Sequence, residues 1–84
     1  MKYIASIDVM PLKTLLDPQG KAVKNVLKNN GYDQVEDVRI GKHITLEIES
    51  SDKDKAKQEV SEITKKVLIN PVIEEFTFTI TEIG

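Results

Sequence analysis

The chain has no cysteine and no tryptophan, a single histidine, and only two tyrosines and two phenylalanines. Without cysteine there can be no disulfide framework, thiol nucleophile or zinc–thiolate site. One histidine and scattered carboxylates offer little for catalysis or for a metal centre. Long apolar runs are missing too, so neither an ordinary signal peptide nor a transmembrane helix is expected, and a cytoplasmic location is the expectation. Nor is there an excess of charge of one sign: 12 basic and 14 acidic residues, well mixed, give a net charge of −2. Non-specific nucleic-acid binding needs a basic face, so the balance argues against a nucleic-acid partner. The 84 residues fit one small domain, 1–84. A chain of this size buries only about 60–65% of its unfolded surface and is marginal unless idealised or oligomeric.

The stretch Leu16-Asp17-Pro18-Gln19-Gly20 organises what is present. Asp17 is suited to cap a helix, and Pro18 to the first helical position, where no N–H is needed. Gly20 is then odd, because glycine in a helix costs about 1 kcal/mol against alanine. Close approach of another backbone explains it, either from a neighbouring loop or from a partner.

Lys2 to Met10 alternates, with Tyr3, Ala5, Ile7 and Val9 on one face of a strand. Pro11 to Leu16 is a loop whose Leu16 is expected to close the core, with Leu12 and Leu15 left open. Pro18 to about Asn30 reads as a helix. Ala22, Val23, Val26 and Leu27 form its apolar face, Lys21, Lys24 and Lys28 a basic stripe, and Gly31 a left-handed C-cap. The stripe is either a solvated face or a surface for an anion or acidic partner. Gln34 to Glu49 reads as two strands joined by a two-residue turn at Gly41-Lys42. A second helix is expected from a Ser50 or Ser51 cap through Ile69, with a Glu62–Lys66 pair. Asn70-Pro71 stops it. A last strand runs from about Ile73 to Glu82, with Phe76, Phe78 and Ile80 inward.

Strand, helix, strand, strand, helix, strand suits an α+β, ferredoxin-like βαββαβ fold, a four-stranded antiparallel sheet with both helices on one face. The open face would carry Lys2, Ile4, Ser6, Asp8, Arg39, His43, Thr45, Glu47, Thr77 and Thr79. It faces either solvent or a second sheet. His43 has no fixed nucleophile beside it and reads as a surface residue. Glu36-Asp37 and Glu74-Glu75 point to opposite faces of their strands and cannot converge on one atom. Gly41-Lys42 lacks the earlier glycine and following helix of a phosphate loop. The open strands lack the aromatic residues of an RNA-binding sheet. From the residues alone, the chain is a binding or structural subunit.

Three stretches together resemble one family. They are Leu16-Asp17-Pro18-Gln19-Gly20-Lys21-Ala22-Val23, Gly31-Tyr32 with Val35-Glu36-Asp37-Val38-Arg39-Ile40-Gly41-Lys42, and Leu68-Ile69-Asn70-Pro71-Val72-Ile73-Glu74. Their order and spacing resemble PurS, the small subunit of phosphoribosylformylglycinamidine synthase, over nearly the whole chain. The loop Pro11 to Leu15 departs from the pattern. The resemblance implies a non-catalytic subunit in purine biosynthesis that binds itself, as a homodimer or larger assembly, the synthetase subunit (PurL) and the glutaminase subunit (PurQ). It would assist ammonia transfer in the ATP-dependent conversion of formylglycinamide ribonucleotide and glutamine to formylglycinamidine ribonucleotide. It implies no catalytic, cofactor or metal residue in this chain; ATP and magnesium are expected in the synthetase subunit. Asp17, Pro18, Gln19, Gly20, Arg39, Gly41 and Lys42 are the expected partner contacts. On that view Gly20→Leu leaves the domain folded and weakens synthetase binding. The alternative is a free-standing, dimeric ferredoxin-like module that binds a metabolite, which genomic neighbours would discriminate.

Overall fold

In the computed structural model, which describes residues 1–83, the alternation of Lys2–Pro11 becomes the central strand β1. It pairs antiparallel with Lys42–Glu49 (β2) on one side and Glu74–Ile83 (β3) on the other. Register follows the alternation. Ala5 lies opposite Leu46 and Ile80, and Ile7 opposite Ile44 and Phe78, so one face of the sheet is apolar. The helices are Pro18–Asn29 (α1) and Lys53–Ile63 (α2), the latter continued by a π-helical turn, Thr64–Leu68. Helix α2 lays Ala56 and Val60 on the sheet, and these join Tyr3, Ala5, Ile7, Val9 and Ile80 in the core. Leu68 and Ile69 pack against the edge of that cluster.

Several local expectations hold. Asp17 caps α1, with Pro18 at its start. Gly31 adopts φ +92°, the left-handed conformation that needs glycine at a helix end. Others need correction. The cap of α2 is Asp52, which accepts the Lys55 N–H at 2.8 Å; Ser50 is buried and donates its hydroxyl to Glu59 Oε1 at 3.5 Å instead. Glu62 and Lys66 form no ion pair, because the π-helical turn breaks the four-residue spacing that would align them.

The larger correction concerns the sheet. It has three strands, in the order β2-β1-β3, and not four. Residues 35–41 join no sheet, and Lys42 is the first residue of β2 instead of half of a turn. A physical reason lies in the alternation. A two-residue turn at Gly41-Lys42 would place Ile40 opposite His43, which belongs to the polar face. Ile40 and Val38 would then be on the wrong side from Ile44 and Leu46. The segment instead lies beside the end of β1. Gly41 lies against Val9 and Met10, and the Arg39 guanidinium donates to the Pro11 carbonyl.

Helix α1 does not share the sheet face with α2. Its only buried residue is Gly20, and no α1 side chain belongs to the core or packs on it. Val23 and Val26, on the expected apolar face of the helix, are 39% and 59% exposed. The radius of gyration is 16.6 Å, against about 12 Å for a compact chain of this length. Apolar side chains on β2 (Ile44, Leu46 and Ile48) are consequently only half-buried.

Candidate subunit-docking cleft

The α1 N-terminus is tied to the segment before β2 by one carboxylate. Asp17 Oδ1 accepts the Gly20 N–H at 3.0 Å, as a helix cap should. Its Oδ2 accepts the Ile40 N–H at 2.8 Å. These two N–H groups, Gly20 first and Ile40 second, hold the Asp17 carboxyl below the ordinary carboxylate range. The oddity of Gly20 is explained within the domain. A Cβ there would collide with the Val38 carbonyl, so the glycine lets that strand-like segment lie directly on the first turn of α1. Gly20→Leu would therefore also disturb the packing of Val38 on α1, so weaker synthetase binding by that variant would not by itself mark a contact. Gly41 is constrained in the same way, since a Cβ would meet the Val9 carbonyl and the Met10 sulfur.

This junction shapes an open cavity of about 540 Å³ at one end of the molecule. Leu15 to Gln19 form one wall, Ile40 to Lys42 a second, and Ile73 with Glu74 a third, with Val9 and Pro11 between them. Lys42 Nζ and Glu74 Oε2 stand 3.5 Å apart across the second and third walls. Asp17, Pro18, Gln19, Gly41 and Lys42 are thus brought together around one cleft. Gly20 is buried behind it, and Arg39 lines a neighbouring depression with Lys13, Lys21 and Lys24. The three stretches that carry the family resemblance are neighbours in space although they are separated in sequence.

Of the leucines at the cleft, the sequence leaves Leu15 open and misassigns Leu16. Leu16 was expected to close the core; it is 77% exposed, because α1 points away from the sheet and no core lies beneath it. Leu15, Val72 and Ile73 are also exposed around this end. The signal was available, since leucines in a short loop beside a helix start are unusual unless something covers them.

His43 lies on the opposite, polar face, where Nδ1 is 2.6 Å from Asp8 Oδ1 and both side chains are exposed. Among the described residues no three histidine, aspartate or glutamate side chains are grouped to hold a metal ion. No helix among them is long and apolar enough to cross a membrane.

Comparison with known proteins agrees with the stretches that meet here. The family model described as PurS, phosphoribosylformylglycinamidine (FGAM) synthase, matches residues 4–82. The chain is 41% identical to the phosphoribosylformylglycinamidine synthase subunit PurS of Bacillus subtilis over 81 residues, covering 96% of this chain and 95% of that one. The Synechocystis PurS is 42% identical, over 94% of this chain and 79% of that protein. Crystalline B. subtilis PurS superposes with a TM-score of 0.84 at 41% identity, covering 95% of this chain and 99% of that one. A chain in the structure of PurLQS from Thermotoga maritima superposes with a TM-score of 0.87 at 32% identity, covering 96% and 99%. The chain therefore belongs to the PurS family, the small subunits of phosphoribosylformylglycinamidine synthase.

Proposed function

We propose that this chain is the non-catalytic small subunit of phosphoribosylformylglycinamidine synthase in purine biosynthesis. It binds the synthetase subunit (PurL) and the glutaminase subunit (PurQ) and assists the passage of ammonia between them. The observation that carries the reading is the convergence of three family stretches on one exposed apolar cleft that holds no reactive constellation. A surface of this kind suits a protein partner: Leu16, Pro18 and Ile73 offer apolar area, while Lys42 and Glu74 offer polar groups at the rim. Asp17, Gln19 and Gly41 complete the proposed contact set, with Arg39 beside it. Gly20 is dropped from direct contact, because it is buried; it keeps the wall of the cleft in place. ATP and magnesium belong with the synthetase subunit on this reading.

The chain also self-associates, as a homodimer or a larger homo-oligomer. The exposed apolar face of α1 and the half-buried face of β2 support this, since neither is covered within one copy.

The test is co-purification of this chain with the two partner subunits, followed by a glutamine-dependent activity assay with and without it. Loss of activity on omission is the expected result. A complex that forms and turns over equally well without the chain defeats the proposal and leaves the free-standing metabolite-binding module as the better account.

A further inference from the structure

We infer that the depression beside the docking cleft is a binding site for a phosphate group, carried by a small organic molecule or free in solution. The depression measures about 370 Å³, within the range of roughly 300–1,000 Å³ that small-molecule sites occupy. It shares Pro11 and the wall Leu15 to Asp17 with the cleft but differs from it in charge. Three separated parts of the chain supply its cations: Lys13 from the loop after β1, Lys21 and Lys24 from α1, and Arg39 from the segment before β2. None of the four has an ion-pair partner among the described residues. Only two carboxylates line the depression, Asp17 and Asp37, and both oxygens of Asp17 already accept backbone N–H groups. In a chain whose net charge is −2, four cations against two carboxylates leave this hollow positive. A phosphate monoester, which carries about −1.5 to −2 at pH 7, matches that surplus.

Shape and burial separate the hollow from an ordinary solvated face. Lys21, Lys24 and Lys28 form one stripe in the sequence, yet only the first two line the hollow. Lys24 and Arg39 are half-buried, so their charge is partly withdrawn from water with no carboxylate paired to it. An anion seated among them supplies the missing partner. The Arg39 guanidinium is held by its bond to the Pro11 carbonyl, which fixes the planar fork and leaves its other donors for phosphate oxygens. Leu12 and Val38, both half-buried, add an apolar wall for the body of a phosphate ester. A concave site of this size suits a small anion better than the extended surface of an acidic protein. The inference goes beyond the subunit role and does not depend on it.

The test follows the backbone amide resonances of the isotope-labelled chain during titration with inorganic phosphate, AMP and adenosine, at an ionic strength held constant with chloride. Saturable shifts centred on Lys13, Lys24 and Arg39 are expected with phosphate and with AMP, and none with adenosine. Tighter binding of AMP assigns the site to a phosphate ester; equal or tighter binding of phosphate assigns it to the free ion. Lys24→Gln should weaken both by about tenfold, the loss of one charge-assisted hydrogen bond, whereas Lys28→Gln should not. Lys21→Gln, at an exposed position, gives the same reading should Lys24→Gln fail to fold. The absence of saturable shifts, or equal weakening by Lys24→Gln and Lys28→Gln, overturns the inference. So does a Lys24→Gln variant that loses its partner subunits in co-purification while the unmodified chain ignores phosphate; the hollow is then a contact for an acidic protein surface. Co-purification of the unmodified chain judges the subunit role separately.

Discussion

The Asp17 carboxylate accepts the backbone N–H of Ile40 at 2.8 Å, joining the first turn of α1 to a segment 23 residues further on. The same side chain caps the helix through Gly20. One residue thus serves a local purpose that periodicity reveals and a distant one that it does not, and the walls of the cleft meet at this bond.

Acid should loosen this junction. The N–H groups of Gly20 and Ile40 favour the ionised carboxyl, so its folded-state pKa is lowered. The stability that Asp17 contributes is therefore complete above its unfolded value of about 3.9, and is lost as pH falls through the lower folded value. Urea midpoints measured from neutral pH down to strong acid should fall more steeply for the unmodified chain than for Asp17→Asn. Parallel profiles would show that the two hydrogen bonds do not distinguish the charge states.

Two glycines should respond differently to alanine. Gly20→Ala forces a Cβ against the Val38 carbonyl and should destabilise by about 1–3 kcal/mol, as overpacking does. Gly31 has open space around it but a positive φ, so Gly31→Ala should cost about 1–2 kcal/mol through backbone strain alone. Gly31→Asn should recover part of that loss, whereas Gly20→Asn should be no better than alanine. Equilibrium denaturation of the four variants checks the contrast.

Burial ranks the apolar residues in an order that hydrophobicity does not. Ile7 is 0% exposed between β2 and β3, and Ile7→Ala should cost about 2–5 kcal/mol, combining lost transfer energy with a cavity. Leu16→Ala, at an exposed site, should stay within about 0.5 kcal/mol of the unmodified chain. Equal losses in chemical denaturation would mean that Leu16 is covered in solution.

Leu16 also tests the cleft directly. Leu16→Asp should leave the circular dichroism spectrum intact and weaken binding to the synthetase by about tenfold or more, the effect of losing roughly 1.4 kcal/mol at an apolar anchor. Titration calorimetry with the purified synthetase gives the comparison. Unchanged affinity would remove this face from the interface.

Local signals in the sequence carried well. Alternation in Lys2–Pro11 and Glu74–Ile83 determined two strands and their buried faces. Asp17-Pro18 and Gly31 determined where α1 starts and stops, because capping and left-handed backbone depend on a few adjacent residues. The three family stretches were legible as well. Their meeting around one cleft was not, since residues 17, 41 and 73 share no local pattern.

By itself, then, the sequence determined both helices, three of the four expected strands, which side of each is apolar, and to which family the chain belongs. Only the tertiary structure decided what those apolar sides cover. Periodicity shows that Val23 and Val26, or Val38 and Ile40, need a partner surface, but a hydrophobic face is non-directional and does not name its partner. Gly20 illustrates the division. Its cost to helix stability announced a close backbone contact, and only the fold showed that the contact is the Val38 carbonyl of the same chain. The four-stranded sheet failed for the same reason. Val38 and Ile40 alternate with polar neighbours as a strand would, yet residues 35–41 join no sheet, and Gly41 lies against Val9 and Met10 instead of opening a hairpin turn.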